Sequence, residues 1–439
     1  SSCSQSHLYL EIKGMPRNLI RINTPDPPSP SVVLALVSSF PSRALGVNGR
    51  PNQMAEKKKK EEDEGSITDD VRNAEYYHGL IPKTDAEALL KKEGDFLLRK
   101  TEHSTGVIIL CISCKTDAGV KHFVINSDPG NGFFIEASHK EKTISGLISY
   151  YMTSKKQLSS SSGAKIKKPV ERPPWTVNHD AVYLIKKLGQ GAFGEVYLAD
   201  YVTEKGTEKV AVKTMKGEAS RDARNKFLKE ARMMRKYDHK NVVRIIGVAV
   251  HEHPLMILME CCEGGDLQSY LKKNKCDLKT KLRFTKEAAD GLAYLDKQQC
   301  IHRDIAARNC LLTNKIVLKI SDFGMSDNKA ILHDDTLDKV PVKWLAPETL
   351  QDKIYSLKSD VWAYGVLVWE IYSNGSEPYP GLSRVQTRAR LVLTDYRMKM
   401  PDETPPEVTK LVLQCWEKLP DKRPTMGEVF SELTKLYEK

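Results

Sequence analysis

The sequence predicts a multidomain α+β chain: a disordered N-terminus, then a small α/β module, then a larger two-lobed unit. Three observations predict it. Residues 1–74 are rich in Ser, Pro and Asn, then in Lys and Glu, and hold no sustained period of 2 or 3.6. Such a composition cannot bury enough apolar surface to offset chain entropy. Residues 75–169 alternate short apolar runs with Gly, Asp and Asn turns between two helical patterns, and residues 183–437 pass from a strand-rich part to a long helical part.

The whole-chain numbers narrow the classes. At 439 residues the chain has room for two or three domains, and 40% hydrophobic with 28% charged residues is ordinary for globular protein. Nine cysteines at irregular spacing argue for reduced thiols and a cytoplasmic setting. Cys111 and Cys114 form a CxxC, but inside the strand-like VIILCISCK with no second pair nearby, so they read as core thiols rather than zinc ligands. The net charge of +11 carries no aromatic-interleaved basic stripe, and the run Lys57 to Lys60 is answered by Glu61 to Glu64, so no nucleic-acid partner is expected. Apolar runs stay short of the roughly 18 residues that span a bilayer. The first start-like run, Met54-Ala55-Glu56-Lys57, marks Met54 as the expected start of translation.

In the module, DAEALLKK (Asp85 to Lys92) has the apolar spacing of a short helix; GDFLLRK, GVIILCISCK, KHFVIN and GFFIEA read as strands, and TISGLISYYM as a closing helix. The Ser- and Lys-rich stretch SSSSGAKIKKPVERPP that follows marks a linker, whose bounds are placed at 170–182.

The larger unit carries a constellation in a fixed order. Leu188 to Ala199 (LGQGAFGEVYLA) is a G-x-G-x-x-G loop between two strand-like runs, whose glycines let backbone amides approach phosphate oxygens. Lys213 ends VAVK on the next strand, where an ammonium among apolar neighbours needs fixed anions; Glu230 in KFLKEARMM lies on the inward face of the following helix. HRDIAARN then supplies Asp304 and Asn309, and DFG supplies Asp322. Phosphoryl transfer needs charge stabilisation and in-line positioning more than covalent chemistry, and these residue types provide both.

In that order and spacing the chain resembles the protein kinases. The resemblance implies ATP and Mg2+ as cofactors, with Lys213 on the α and β phosphates, Glu230 on Lys213, Asp304 taking the substrate hydroxyl's proton, and Asn309 and Asp322 holding metal. Nucleotide contacts are implied for Leu188, Gly189, Gln190, Gly191, Ala192, Phe193, Gly194, Glu195, Val196, Ala211, Glu260, Cys262 and Leu311. Met259 resembles the gatekeeper, and its bulk narrows the rear pocket. Ala306 and Arg308 after the catalytic Asp, with Pro341 to Trp344 (PVKW), are the tyrosine-kinase forms, in which Arg308 reaches the reacting centre and Pro341 packs the phenol ring. Glu348 is expected to pair with Arg423, and Asp360 to bind the catalytic-loop backbone.

YYHGLIP and GDFLLRK resemble a Src-homology-2 (SH2) domain. Arg99 sits mid-strand among Phe96, Leu97 and Leu98, where a charge is costly unless an anion answers it, and a guanidinium can clasp a phosphate through two parallel bonds. Thr101, His122 and Lys83 match the family's other phosphotyrosine positions, while Tyr76 and Lys100 depart from its usual tryptophan and glutamate. A binding module, a short linker with Trp175 and then HRDIAARNC and DFGMS together look most like the Fes/Fer group, in the short form found in nematodes that lacks a membrane-bending F-BAR region. The implied partners are phosphotyrosine proteins and protein tyrosine substrates, with peripheral recruitment to the inner face of the plasma membrane.

The competing reading is a phosphotyrosine scaffold with a weak or inactive kinase fold. It requires the loss of Lys213, Glu230, Asp304, Asn309 or Asp322, and all five are present. One departure concerns control. Between Asp322 and Glu348 there is no tyrosine, and Asp327 stands where the family carries one of two arginines that hold a phosphotyrosine; the other, Arg303, is present. Asp334 and Asp335 are expected near the missing tyrosine's place, as partial mimics of a phosphate for Arg303, with Thr336 a weaker acceptor.

Overall fold

The computed structural model describes residues 67–102, 107–190, 194–215, 220–329, 331–333 and 340–439. Residues 1–66, Gly191, Ala192, Phe193, Asp334, Asp335 and Thr336 lie outside the described residues, so the expectations placed on them have no structural counterpart here.

The first domain starts before the expected Glu75. A single helical turn, α1 (Asp69–Arg72), buries Val71 completely beside Tyr77, Phe96 and Ile148. Val71 is the only apolar side chain of this turn, with Ile67 packed against the same cluster just before it, and the neighbouring charges mask both in the sequence. Helix α2 (Lys83–Leu89) follows Pro82 and ends at Leu90, which turns extended and is buried; the pattern through Lys92 overshoots it by three residues.

Strands β1 (Asp95–Glu102), β2 (Ile108–Thr116) and β3 (Gly119–Val124) pair antiparallel in sequence order. A small hairpin, β4 (Asn126–Asp128) with β5 (Gly132–Phe134), stands apart, and the expected strand through Ala137 stops at Phe134. Helix α3 (Ile144–Ser154) starts at Thr143, whose side chain accepts the Gly146 N–H, and buries Ile144, Leu147, Ile148 and Tyr151 on one face. Strand β6 (Lys168–Pro169) adds in parallel to β1, giving the order β3-β2-β1-β6. Cys111 and Cys114 are free and buried, and burial pushes the Cys114 thiol up to about 11.

The second domain opens with a five-stranded antiparallel sheet. Its strands are β7 (Val182–Gln190), β8 (Gly194–Thr203), β9 (Gly206–Met215), β10 (Ile245–Ala249) and β11 (Met256–Glu260), in the order β10-β11-β9-β8-β7. Between β9 and β10 runs helix α4 (Arg221–Met234), capped by Ser220 and burying Phe227, Leu228, Glu230, Ala231, Met233 and Met234. A three-stranded sheet of β12 (Gly265–Asp266), β13 (Cys310–Leu312) and β14 (Leu318–Ile320) lies with α5 (Leu267–Lys273) and α6 (Leu278–Lys297). The remainder is helical: α7 (Pro347–Asp352), α8 (Leu357–Tyr372), α9 (Arg384–Leu393), α10 (Pro406–Cys415) and α11 (Met426–Glu438). The two-residue strands β15 (Leu332–His333) and β16 (Ile354–Tyr355) pair across α7. Helix α8 is buried along nearly its whole length, including Asp360 and Glu370, and forms the spine of the large core.

The small domain touches the strand-rich lobe through specific groups. Leu80 donates its N–H to Val250 O at 2.7 Å, and Gly79, at φ +69°, lets the chains approach so closely that a Cβ there would lie 2.3 Å from Val250 O. Asp85 receives Arg232 of α4 at 2.8 and 2.9 Å, and Glu102 pairs with Arg224 of the same helix. The linker adds Trp175, whose ring lies 3.7 Å under the Arg235 guanidinium.

Arg423 is wholly buried and donates to both oxygens of Glu348 at 2.7 and 2.8 Å, and to the carbonyls of Glu417, Lys358 and Lys418. Replacing it by leucine strands the Glu348 carboxylate. We expect Arg423→Leu to lower stability by about 3–5 kcal/mol in urea unfolding of the full chain followed by tryptophan fluorescence; a loss below about 1 kcal/mol contradicts this account.

Candidate active site

Lys213 and Glu230 come from separate elements, β9 and α4. The ammonium meets both carboxylate oxygens at 2.7 and 2.8 Å, with side chains 12% and 2% exposed. Burial pushes the Glu230 carboxyl up, Lys213 draws it back, and the nearby Asp322 charge pushes it up again. Asp322, Glu230 and Lys213 thus lie within electrostatic reach of one another.

The phosphate loop is described at its two ends. Gly189 faces Val196 and Gln190 faces Glu195 across the β7–β8 hairpin, and a Cβ on Gly189 would meet nothing within 4 Å. Gly194 differs: a Cβ there would lie 1.8 Å from Thr214 O, so this glycine is required by the close approach of β8 and β9. The Glu195 side chain meets Lys187 and Tyr197, so what this residue offers the cleft is backbone. Val196 stands opposite Lys213, Leu198 opposite Ala211, and Ala211 opposite Met259. Leu188 is exposed, while Met259, Cys262 and Leu311 are half-buried beside the large core. The Glu260 side chain accepts from Arg244 N at 2.6 Å and Lys319 Nζ at 2.9 Å, which fixes the connection between the lobes.

The catalytic loop gathers around Asp304. Asn309 Nδ2 donates to the Asp304 carbonyl at 2.8 Å and to its carboxylate at 2.7 Å, and Arg308 donates to the other carboxylate oxygen. The Arg308 guanidinium also covers the Trp344 ring at 4.4 Å, joining the PVKW shelf to Asp304. With the Asn309 amide hydrogens turned to Asp304, its Oδ1 is left to meet a cation. Asp322 is exposed, and one of its oxygens accepts Gly324 N at 3.2 Å. An amide oxygen and a carboxylate are the donor types that Mg2+ takes, and it needs few protein ligands.

Two buried carboxyls hold this loop from behind. Asp360 accepts His302 N at 2.6 Å and Arg303 N at 3.0 Å, as the sequence implied. Glu370 accepts Ala307 N and Trp344 Nε1, both at 2.9 Å. Arg303 and Asp322 both take left-handed backbone, φ 73° and 63°, a conformation that persists only where surroundings enforce it. Arg303 donates to Met325 O at 3.2 Å and lies 4.0 Å over the Tyr355 ring. Phe323 is buried, its ring 4.9 Å from His302 and 5.5 Å from Tyr237.

In the small domain, Arg99 is 3% exposed. Its Nε donates to Ser113 Oγ at 3.1 Å and its Nη1 reaches Ile81 O at 3.4 Å. Among the described residues no carboxylate pairs with it, and burial lowers its pKa below the ordinary arginine value. His122 joins Ser113 at 2.9 Å and Glu87 at 3.2 Å, and Lys83 lies 3.7 Å from Glu87. Thr101 is two residues along β1 from Arg99 and shares its face. The four sequence-derived residues therefore line one side of the module.

Ser113, Glu87 and Glu370 escape sequence reasoning. Ser113 is a small polar residue in an apolar strand, and its role follows from register, since it sits opposite His122. Glu370 lies in the helical run VLVWEIY, where a lone acid among apolar residues is the available signal.

Comparison with known proteins agrees with this geometry. Residues 182–433 match the family described as protein tyrosine and serine/threonine kinase, and residues 76–151 match the SH2 domain. Fer-related kinase 1 of Caenorhabditis elegans is 58% identical over 87% of this chain and 98% of its own length. Human tyrosine-protein kinase Fer is 39% identical over 83% of this chain, which spans 44% of it. The tyrosine-protein kinase transforming protein Fps of avian sarcoma virus (strain PRCII) is 37% identical over 82% of this chain and 67% of its own.

Burial pushes Glu370 up to about 7, with the Trp344 and Ala307 donors pulling the other way. Among the described residues its Oε1 has no hydrogen-bond partner. The unfolded chain ionises near the ordinary 4.5, so stability contributed by this group is complete below that pH and is gone once pH has risen through about 7. Glu370→Gln keeps an oxygen for Ala307 and Trp344 and removes the charge. We expect it to shrink the loss of stability between about pH 5 and about pH 8 by on the order of 2–3 kcal/mol, read from urea unfolding of both proteins at each pH; parallel pH profiles contradict the assignment.

Proposed function

Because the chain belongs to the protein tyrosine and serine/threonine kinase family, in its Fes/Fer group and with an SH2 domain ahead of the catalytic unit, we infer that it is a non-receptor tyrosine kinase. It transfers the γ-phosphoryl group of ATP to protein tyrosines. The observation that carries this reading is the two-point Lys213–Glu230 pair, closed and buried beside Asp322. Such a pair costs desolvation and is retained where its ammonium also serves a bound anion.

The substrate phenol is oriented by Asp304, which accepts its proton as the phenolic oxygen bonds to the γ-phosphorus and the bond to the ADP oxygen breaks. Arg308 and Asn309 hold the Asp304 carboxylate from two sides, and Arg308 transmits its position to Trp344 and the Pro341 shelf. Lys213 binds the α and β phosphates, and the backbone at Leu188 to Gln190 and at Gly194 to Val196 flanks them. Asn309 Oδ1 and the Asp322 carboxylate would hold Mg2+, which would supply charge neutralisation on the transferred group.

Arg99, supported by Ser113 and His122, takes a phosphate on tyrosine, and Lys83 and Thr101 complete its surroundings. Its buried charge lacks a carboxylate among the described residues, which supports an anionic ligand. Residues 75–169, preceded by the turn at 69–72, serve as the binding module, 170–182 as linker and 183–437 as catalytic unit. Recruitment to phosphotyrosine partners raises local substrate concentration. Reduced cysteines support a cytoplasmic setting, with attachment to membrane signalling complexes through those partners. Among the described residues no helix is long and apolar enough to cross a membrane.

A scaffold with a silent kinase fold would tolerate loss of Lys213, Glu230, Asp304, Asn309 or Asp322, and the sequence keeps them all. Purified chain with ATP, Mg2+ and a random tyrosine peptide library should incorporate phosphate, and Asp304→Asn should reduce the rate by at least about 10²-fold. Equal incorporation by both proteins contradicts the enzyme reading.

A further inference from the structure

Asp327 occupies the position at which the resembling family carries a phosphate-binding arginine, and no tyrosine lies between Asp322 and Glu348. Its backbone exchanges two hydrogen bonds with Ile301, at 2.9 and 3.0 Å, which fixes it beside the strand end that leads into His302, Arg303 and Asp304. Its side chain is 17% exposed; one oxygen accepts Lys329 N at 3.2 Å, and the other accepts Lys229 Nζ of α4 at 2.8 Å. Partial burial works against the Asp327 charge, but the Lys229 bond and charge hold the carboxyl below its ordinary range. A second tie lies one turn beyond α4, where Tyr237 Oη meets Asn328 Oδ1 at 3.3 Å.

Lys229 immediately precedes Glu230 in α4. Neighbouring helical residues point about 100° apart, so one turn of helix offers Glu230 to Lys213 and Lys229 to Asp327. Rotation or withdrawal of α4 breaks both contacts together. An arginine at 327 would instead face Lys229 as a like charge and would need an added anion. Here the anion is built into the segment and the cation into the helix.

Resting on the kinase reading above, we propose that Lys229 and Asp327 are positioning residues for phosphoryl transfer: their ion pair holds α4 against the start of the activation segment, keeping Lys213–Glu230 closed without a phosphotyrosine in that segment. The pair joins the nucleotide side of the site to the catalytic loop through Ile301. It replaces a reversible switch by a fixed charge pair.

The test uses the full chain after phosphatase treatment, as wild type, Lys229→Glu, Asp327→Lys and the double exchange. Each single change should lower kcat by about fivefold or more with the peptide KM unchanged, and the double exchange should return kcat to within about twofold of wild type. Amide exchange over residues 221–234 should be faster in the single variants and slow again in the double. Singles with wild-type kcat and exchange, or a double variant no better than either single, overturn the proposal. If the wild type transfers no phosphate, the kinase reading fails, and exchange alone decides the pair: equal protection in all four proteins overturns it, and loss in the singles with recovery in the double supports it.

Discussion

A lysine and a glutamate taken out of water on two different elements place a demand on everything around them. Lys213 on β9 can meet Glu230 only if α4 is held close and correctly rotated, and neither charge is worth burying alone. Much of the surrounding structure meets this demand. The small domain grips α4 through Asp85 and Glu102, the linker lays Trp175 against Arg235, and the segment after DFG reaches back through Asp327. Three cationic side chains of this helix, and a fourth on its C-terminal cap, thus find partners on three separate parts of the chain, while its buried face carries Glu230.

The lower half of the site rests on a different economy. The catalytic loop departs from regular structure and contains a left-handed Arg303, so its backbone donors need acceptors from elsewhere. Asp360 and Glu370, ten residues apart on the buried α8, supply them, and burial raises both carboxyls to about 7. Rigid support beneath and an adjustable helix above form a site whose lower part is set by the core. The upper part depends on contacts that a partner or a charge change can alter.

The parts of this arrangement dictated by short-range chemistry were legible in the sequence. Lys213, Glu230, Asp304, Asn309, Asp322 and Arg99 each stand in a motif that fixes their neighbours, and Asp360 and Arg423 met the partners expected of them. What depended on register or on distant approach was not. Gly194 reads as a phosphate-loop glycine, yet its missing Cβ makes room for Thr214 O, a contact set by the pairing of β8 with β9. Val71 falls in the stretch read as having no fold, because Ile67 and Val71 are too few to set a period among the polar and charged residues around them. The expected partner of Arg303, Asp334 with Asp335, lies outside the described residues; the acid that does meet a cation is Asp327, and that cation comes from α4, almost 100 positions earlier in the chain.

If the kinase reading holds, closure of Lys213 on Glu230 sets the rate of phosphoryl transfer. The most direct measurement is steady-state transfer from ATP to a tyrosine peptide by Glu230→Gln, an isosteric change that removes the charge facing Lys213. The account predicts a fall in kcat of about 10²-fold with nucleotide binding retained. A kcat within about twofold of the wild type would contradict it.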